Sequence, residues 1–164
     1  MPGRPQGLAE TGYGACEMGM PPALVSVGYE GRTLQDLISQ LKHQRVQVLV
    51  DVRLTPLSRK PGFSKTKLAQ ALQSAGIEYV HHRALGNPKD NRDGFRSGSE
   101  ESRERFREVL GSDAAADALN HVVELLDGGI VALLCFERDH ETCHRDIVVD
   151  RLRSVAPYVQ VHHL

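Results

Sequence analysis

The stretch Ile130-Val-Ala-Leu-Leu-Cys-Phe-Glu-Arg-Asp-His-Glu-Thr-Cys-His-Arg145 decides the fold assignment of this chain. Its first five residues are apolar and predict a buried strand, and the residues that follow it, 146–152, have helical spacing. Ligands of open α/β sheets bind at the carboxyl ends of strands and against helix N-termini. Because the loop between strand and helix is dense in Cys, Glu, His and Arg, we expect the functional site there.

Strand and helix signals alternate over the rest of the chain. Strands are predicted at 24–29, 46–52, 77–81, 130–134 and 158–161, and helices at 34–41, 65–75, 100–110, 114–126 and 144–155. The polar segment 83–99 is predicted to be a long loop, either functional or mobile. This order predicts a single α/β domain, a three-layer sandwich with a mostly parallel sheet of about five strands and helices on both faces.

Composition bounds the class of protein. The chain has 164 residues, 40% of them hydrophobic and 25% charged, which is the profile of one globular domain. Residues 1–22 are rich in Gly and Pro and lack an apolar core, so we expect a disordered leader rather than a secretory signal, followed by the domain at 23–164. No apolar run approaches the roughly 18 residues of a membrane span, and three cysteines without a signal peptide favour a reducing, cytoplasmic compartment.

Polar groups follow four of the predicted strands, at 28–32, 51–53, 81–83 and 135–137. In a parallel sheet these ends meet at one edge, so the side chains should converge. The region 51–107 holds 12 Lys and Arg against 7 Asp and Glu, although the net charge of the whole chain is −1. One side of the molecule is therefore expected to be locally basic, as an anion site requires.

Five ordered motifs are similar to those of a known family. They are Val27-Gly-Tyr-Glu-Gly-Arg32, Val50-Asp-Val-Arg53, Ser58-Arg-Lys-Pro-Gly-Phe63, Ile77-Glu-Tyr-Val-His81 with Leu85-Gly86, and Cys135-x-Glu137 with Cys143-His-Arg145. Together they resemble the bacterial and archaeal DUF488 family over about residues 24–153. The resemblance implies an α/β fold and the same site, and it leaves the reaction open because the family has no established function.

Cys143 is the first candidate for catalysis. It lies at the predicted start of the last helix, beside His144 and Arg145, and a helix N-terminus and nearby cations lower the pKa of a thiol. Glu137 or His144 would serve as the acid or base. The alternative is an inert, buried Cys143. Cys135 is interpreted as a core residue or as a resolving partner for Cys143.

A set of cations could hold an anionic substrate such as a phosphate or a nucleotide. With Tyr29 as a neighbouring aromatic face, the predicted binding residues are Tyr29, Arg32, Arg53, Arg59, Lys60, Arg83 and Arg145. The alternative is a set of separate solvated charges paired with Glu30, Asp51 and Glu137.

Metal binding and two familiar cysteine enzymes are less well supported. Cys135, His140, Cys143 and His144 offer four zinc ligands, but their spacing is poor, so we expect neither a metal nor another cofactor. A phosphatase loop of Cys-x5-Arg would need Arg at 141, where the chain has Glu, and the 135–145 loop lacks the Gly of a rhodanese cradle.

Two functions therefore remain open. The first is a small enzyme that acts on an anionic, phosphate- or nucleotide-bearing substrate at the carboxyl edge of the sheet. The second is a non-catalytic module that binds a nucleotide or a nucleic acid with the same basic edge. No membrane partner is expected, and the sequence leaves the oligomeric state open. Both hypotheses require Arg53, Glu137 and Arg145 to surround one cleft.

Overall fold

Five strands form one parallel sheet. The computed structural model describes residues 20–164, so Cys16 and nearly all of the predicted leader lie outside the described residues. The strands are β1 (Ala23–Gly28), β2 (Val48–Asp51), β3 (Glu78–His81), β4 (Ile130–Cys135) and β5 (Gln160–His163), in the order β3-β2-β4-β1-β5. All four pairings are parallel, which confirms the predicted sheet.

Six helices cover the two faces of this sheet. They are α1 (Leu34–His43), α2 (Lys65–Ser74), α3 (Arg92–Arg96), α4 (Glu100–Leu110), α5 (Asp113–Asp127) and α6 (Arg145–Val155). Helices α1 and α2 bury their apolar side chains against one face, and α4, α5 and α6 against the other. The central strands are buried along their whole length, which explains their nearly continuous apolar sequence. The predicted three-layer α/β domain is confirmed.

The two predicted N-cap residues differ in the hydrogen bonds that their side chains make. Thr33 forms a reciprocal capping box with Asp36, as its position predicted. Ser64 occupies the N-cap of α2, but its hydroxyl bonds the backbone of Ser58 instead and so fastens the 58–64 loop. Gly76 follows α2 with φ +76°, the conformation expected of a glycine after a helix.

The segment 83–99 is more regular than its composition predicted. It contains two short 3₁₀ turns, Arg83–Leu85 and Lys89–Asn91, followed by α3. Two buried residues fix it, because the Asn91 amide donates to Asn87 Oδ1 and to the Ser102 carbonyl, and Phe95 packs edge-on against Phe106. The prediction of a long loop was therefore wrong: a few inward residues are enough to fold a polar stretch.

The carboxyl ends of β1, β2 and β4 lie together at one edge of the sheet. Gly28 pairs with Cys135 and Asp51 with Leu134. The loop after β4 folds directly over the end of β1, where a Cβ on Gly28 would lie 1.8 Å from the Glu137 carbonyl oxygen. Glycine is required there for the two backbones to approach. The predicted convergence of strand ends is thus confirmed for these three strands.

None of the helices in residues 20–164 is both long enough and apolar enough to cross a bilayer.

Candidate functional site

A cleft of about 210 Å³ opens at this edge, between the ends of β1, β2 and β4 and the 83–99 segment. Its walls combine a thiol, an imidazole, a carboxylate and three guanidinium groups with apolar side chains. The lining residues are Tyr29, Arg53, Leu54, Thr55, Leu57, Asn87, Arg92, Phe95, Arg96, Cys135, Phe136, Glu137, Thr142 and His144. A cleft is therefore present at the edge of the sheet where the sequence predicted the site.

Cys135 and His144 form the chemical centre of the cleft. Cys135 ends β4 and is 7% exposed, and His144 immediately precedes α6. The Cys135 sulfur lies 3.9 Å from His144 Nδ1 and 3.4 Å from Glu137 Oε2. A thiol beside an imidazole is the pairing that activates cysteine nucleophiles.

A backbone contact fixes the orientation of the His144 ring. Its Nε2 lies 2.9 Å from the carbonyl oxygen of Val52, the residue after β2. A carbonyl only accepts hydrogen bonds, so Nε2 carries a proton and donates it. In the neutral ring Nδ1 is then an acceptor, and it faces the sulfurs of Cys135 and Cys143. The imidazole is therefore placed to take a proton from either thiol.

Cys143 lies behind this centre. It is 1% exposed, packs in the core beneath α6, and is not among the cleft-lining side chains of the described chain. Its sulfur is 3.7 Å from His144 Nδ1. Of the three predicted catalytic residues, Glu137 and His144 thus lie at the cleft, whereas Cys143 lies one layer deeper and Cys135 occupies the front position.

The pKa values of the two thiols are shifted in opposite directions. A hydrogen bond from the Cys143 thiol, with the charge and hydrogen bond of His144, lowers the pKa of Cys135 to about 5, against burial and the charge of Glu137. Burial, together with the charge and hydrogen bonding of Cys135, raises the pKa of Cys143. Burial opposes protonation of His144, but the charge and hydrogen bond of Cys135, the Val52 carbonyl and the charge of Glu137 together outweigh it and raise the pKa of the imidazole. The cluster therefore favours a thiolate at the front position.

Glu137 lies between the Cys135 thiol and Arg96. Both Nε and Nη2 of Arg96 donate to Glu137 Oε1, at 3.1 and 3.0 Å. Burial opposes ionisation of Glu137, but its own backbone N–H, the Cys143 thiol and Arg96 together lower its pKa. The carboxylate is thus held charged, with one oxygen on Arg96 and the other toward Cys135.

Arg53 belongs to a separate, closed network. Its guanidinium forms a two-point ion pair with Asp51, with Nε to Oδ1 at 2.8 Å and Nη2 to Oδ2 at 2.6 Å. Nη1 donates to the Phe63 carbonyl at 2.7 Å, and the Tyr79 hydroxyl donates to Asp51 Oδ2 at 2.6 Å. Tyr29 stacks on Phe63 beside them. Arg53 and Tyr29 form a cleft wall, and the donors of Arg53 are already used within the protein.

The other predicted binders are spread more widely. Arg32 Nε donates to the Gly28 carbonyl and Nη1 to Gln40, and Lys60 Nζ donates to the Tyr29 carbonyl. Arg59 lies in a second surface depression over residues 57–67, and Arg83 donates to the Leu54 carbonyl from an exposed position. These four residues are absent from the cleft lining found within 20–164.

Arg145 is the largest fully buried side chain of the described residues and is 0% exposed. Its Nη2 donates to the Glu137 carbonyl at 2.7 Å, whereas Nε and Nη1 find no hydrogen-bond partner among residues 20–164. The expectation that Arg53, Glu137 and Arg145 surround one cleft therefore holds for the first two. Arg145 supports the loop from below.

Sequence reasoning missed Arg92 and Arg96 of the 83–99 segment. Arg92 and Arg96 lie one helical turn apart in α3 and both line the cleft. Arg92 Nε donates weakly to the Asn87 carbonyl at 3.4 Å, which leaves its two other nitrogens turned to the opening. The available signal was the i, i+4 spacing of the two arginines, which places them on one face once the segment is helical.

A soft metal ion would find three donors here. One ligand atom each of Cys135, Cys143 and His144 lies within 4.8 Å of the others. The fourth ligand considered from the sequence, His140, instead stacks on His163 with ring centroids 3.7 Å apart. The four-residue zinc set is therefore not assembled in the described chain.

Comparison with known proteins gives one match. The family model described as the domain of unknown function DUF488 matches residues 33–152, which covers most of the chain and all of the cleft except Tyr29. No curated protein and no solved structure matches the chain.

Proposed function

The chain belongs to the DUF488 family, whose function is unknown, and we propose that it is a small enzyme that attacks an anionic substrate with the Cys135 thiolate. The observation that carries the proposal is the position of Cys135. It lines the cleft with His144 Nδ1 at 3.9 Å, and Arg53, Arg92 and Arg96 line the same cleft. A binding module needs the arginines alone and has no use for an activated thiol beneath them.

The walls of the cleft suggest the class of substrate. Arg92 and Arg96 supply positive charge, and Arg92 keeps donors free for a phosphate or carboxylate. Leu57 and Phe136 are exposed apolar side chains at the same opening. A molecule with one anionic and one planar or apolar part, such as a nucleotide, fits this pairing.

Each central residue has a distinct role in the proposed reaction. Cys135 is the nucleophile, and His144 accepts its proton at Nδ1 and returns it to the leaving group. Glu137 positions Arg96 through the two hydrogen bonds to Oε1. Arg53 shapes the wall without contributing free donors. A cytoplasmic compartment, where thiols stay reduced, is part of the proposal.

The test uses two alkylating reagents that differ in charge. With Cys16→Ala as background, peptide mapping should assign the fastest label to Cys135, with a rate that rises with pH around 5 and then levels. The rate ratio of anionic iodoacetate to neutral iodoacetamide should exceed that of free cysteine. Arg92→Gln should restore the free-cysteine ratio and leave the iodoacetamide rate unchanged.

One result would reject the proposal. Reactivity of Cys135 with the pH dependence of free cysteine, whose pKa is about 8.5, would remove the nucleophile. If that result came together with an iodoacetate preference that Arg92→Gln abolishes, the site would be a non-catalytic anion-binding module.

A further inference from the structure

Cys143 is a buried thiol that the proposed reaction does not use. It is 1% exposed, and yet it shares His144 Nδ1 with Cys135, at 3.7 and 3.9 Å. The sulfurs of the two cysteines also lie within 4.8 Å of each other. Packing alone would be served by an apolar side chain turned away from the imidazole.

The loop between the two cysteines is held at both ends. The 3₁₀ turn His140–Thr142 brings Cys143 back under β4, with the Cys143 N–H donating to the His140 carbonyl at 3.1 Å. At the other end the Glu137 carbonyl accepts from buried Arg145 at 2.7 Å. The approach of the two sulfurs is therefore built into the backbone, as a disulfide requires.

We propose that Cys143 is a resolving thiol and that the reduced site undergoes thiol–disulfide exchange with an anionic, low-molecular-weight disulfide. The proposal rests on the proposed function, because it takes Cys135 as the nucleophile. It adds the substrate class, and it assigns the second cysteine a role in the reaction.

The first step joins the substrate to Cys135. The thiolate attacks one sulfur of the disulfide, a bond from Cys135 to that sulfur forms, and the substrate S–S bond breaks. The departing thiolate takes a proton from the His144 imidazolium. The carboxylates or phosphates of the substrate would contact Arg92 and Arg96 at the cleft wall.

The second step uses Cys143. Once Cys135 is bound in a mixed disulfide its negative charge is gone, so the contribution of that charge to the raised pKa of Cys143 is lost, although the contribution of burial remains. Cys143 gives its proton to Nδ1 of the now neutral His144 and attacks the Cys135 sulfur. The Cys135–Cys143 bond forms and the second substrate thiolate leaves with that proton. In sum, two protein thiols are oxidised and one disulfide is reduced to two thiols.

The buried position of Cys143 gives the order of events. External disulfides reach Cys135 through the cleft, whereas Cys143 is reached only by a sulfur already attached to Cys135. The exchange should therefore be sequential, with Cys135 always first.

The experiment treats the reduced full-length Cys16→Ala protein with glutathione disulfide at pH 8 and follows intact mass. The expected product has lost two hydrogens, with two glutathione molecules released per chain. Cys143→Ser should instead keep one glutathionyl group on Cys135, and Cys135→Ser should stay unmodified. Cationic cystamine should react about tenfold more slowly than glutathione disulfide, because the arginines repel it.

The two proposals fail in different ways. If the Cys16→Ala protein accumulates a stable glutathionyl adduct on Cys135, the nucleophile stands and Cys143 is not a resolving thiol. If the Cys16→Ala protein loses no hydrogens and Cys143→Ser takes up no glutathionyl group, while thermal unfolding shows both folded, the thiol–disulfide inference fails. Alkylation of Cys135 in the same two proteins then decides separately whether the nucleophile stands. Equal rates with cystamine would overturn the assignment of an anionic disulfide.

Discussion

Two buried polar clusters lie side by side at the carboxyl edge of the sheet and differ in how completely their groups are bonded. In the Asp51–Arg53 cluster the charged atoms have short partners, from 2.6 to 2.8 Å in the ion pair and its bonds to Tyr79 and Phe63. In the Cys135–His144 cluster the sulfur contacts run from 3.4 to 3.9 Å.

The difference indicates that the Asp51–Arg53 cluster is a structural scaffold and that the Cys135–His144 cluster is the reactive one. A buried charge with all its hydrogen bonds made is stable and has no donor left for a ligand. A thiol beside an imidazole nitrogen that can accept its proton can become a reactive thiolate. Equal burial and equal proximity to the cleft therefore do not imply equal roles. Four predictions test the distinction.

The largest expected effect is on folding, in the Asp51–Arg53 cluster. Arg53→Met removes the cation from a fully buried carboxylate, which should destabilise the protein by about 3–5 kcal/mol. Urea unfolding followed by circular dichroism measures this loss. Arg107→Met is the matched control, because its pairs with Glu100 and Glu104 are exposed and their loss should leave the stability nearly unchanged. Equal losses in the two variants would contradict the assignment of Arg53 to the scaffold.

The second effect is on reactivity, in the Cys135–His144 cluster. Cys143→Ala removes the largest cause of the lowered Cys135 pKa and His144→Gln removes the imidazole, so each should move the alkylation profile of Cys135 to higher pH. At pH 6 the alkylation rate should fall by about 10- to 100-fold, since each pKa unit is a factor of ten in thiolate. His121→Gln, on α5, should leave the profile unchanged. A Cys135 profile insensitive to both variants would mean that its neighbours do not activate it.

The comparison also explains what could be predicted from the sequence. The sheet, its faces and the site edge follow from hydrophobic runs and strand ends, which depend on local pattern and on the uniform direction of parallel strands. Which cysteine lines the cleft depends on the path of the 136–142 loop beneath β4. That path is set by the close approach of Gly28, which is far away in the sequence, and by the hydrogen bond from buried Arg145 to the Glu137 carbonyl, which the sequence pattern does not reveal.

The arginines also show that the sequence alone does not identify the residues that can bind an anion. Arg53 and Arg145 were predicted to bind substrate from their positions beside strand and helix ends, but one is paired and the other fully buried. Arg92 and Arg96 lie in a polar segment whose folding depends on Asn91 and Phe95 contacting α4. Residue type indicates which groups can bind an anion, and only packing decides which of them have donors to spare.

A third, smaller effect is on the alkylation rate of Cys135, which should rise when Glu137 is replaced and fall when its partner Arg96 is replaced. The Glu137 charge raises the pKa of Cys135, so Glu137→Gln should speed alkylation at pH 5, by at most about twofold because roughly half of the thiol is already ionised there. Arg96→Gln leaves the carboxylate without its cation and should slow the same reaction by a similar factor. Iodoacetamide kinetics measure both. Changes of the same sign would mean that the substitutions act through cleft shape rather than through charge.

The smallest expected effect lies beside the Asp51–Arg53 cluster, where β3 ends. His82 Nε2 lies 2.8 Å from His121 Nδ1, and burial together with the charges of His121 and His81 lowers the pKa of His82. A lowered pKa in the folded state means that the unfolded chain binds the proton first. Stability from this pair is therefore present above pH 6.5, the ordinary histidine value, and is lost as the pH falls through the lowered value.

Urea unfolding at pH 7.5 and at pH 5 measures this dependence. His82→Gln should flatten the change between the two pH values by about 1 kcal/mol or less, the scale of one hydrogen bond. His43→Gln, on α1 outside both clusters, is the matched control and should keep the wild-type slope. Because the pair lies next to Asp51–Arg53 in the sheet, a flattened slope with unchanged Cys135 alkylation would place His82 and His121 with the scaffold. A change in alkylation would place them with the reactive cluster instead.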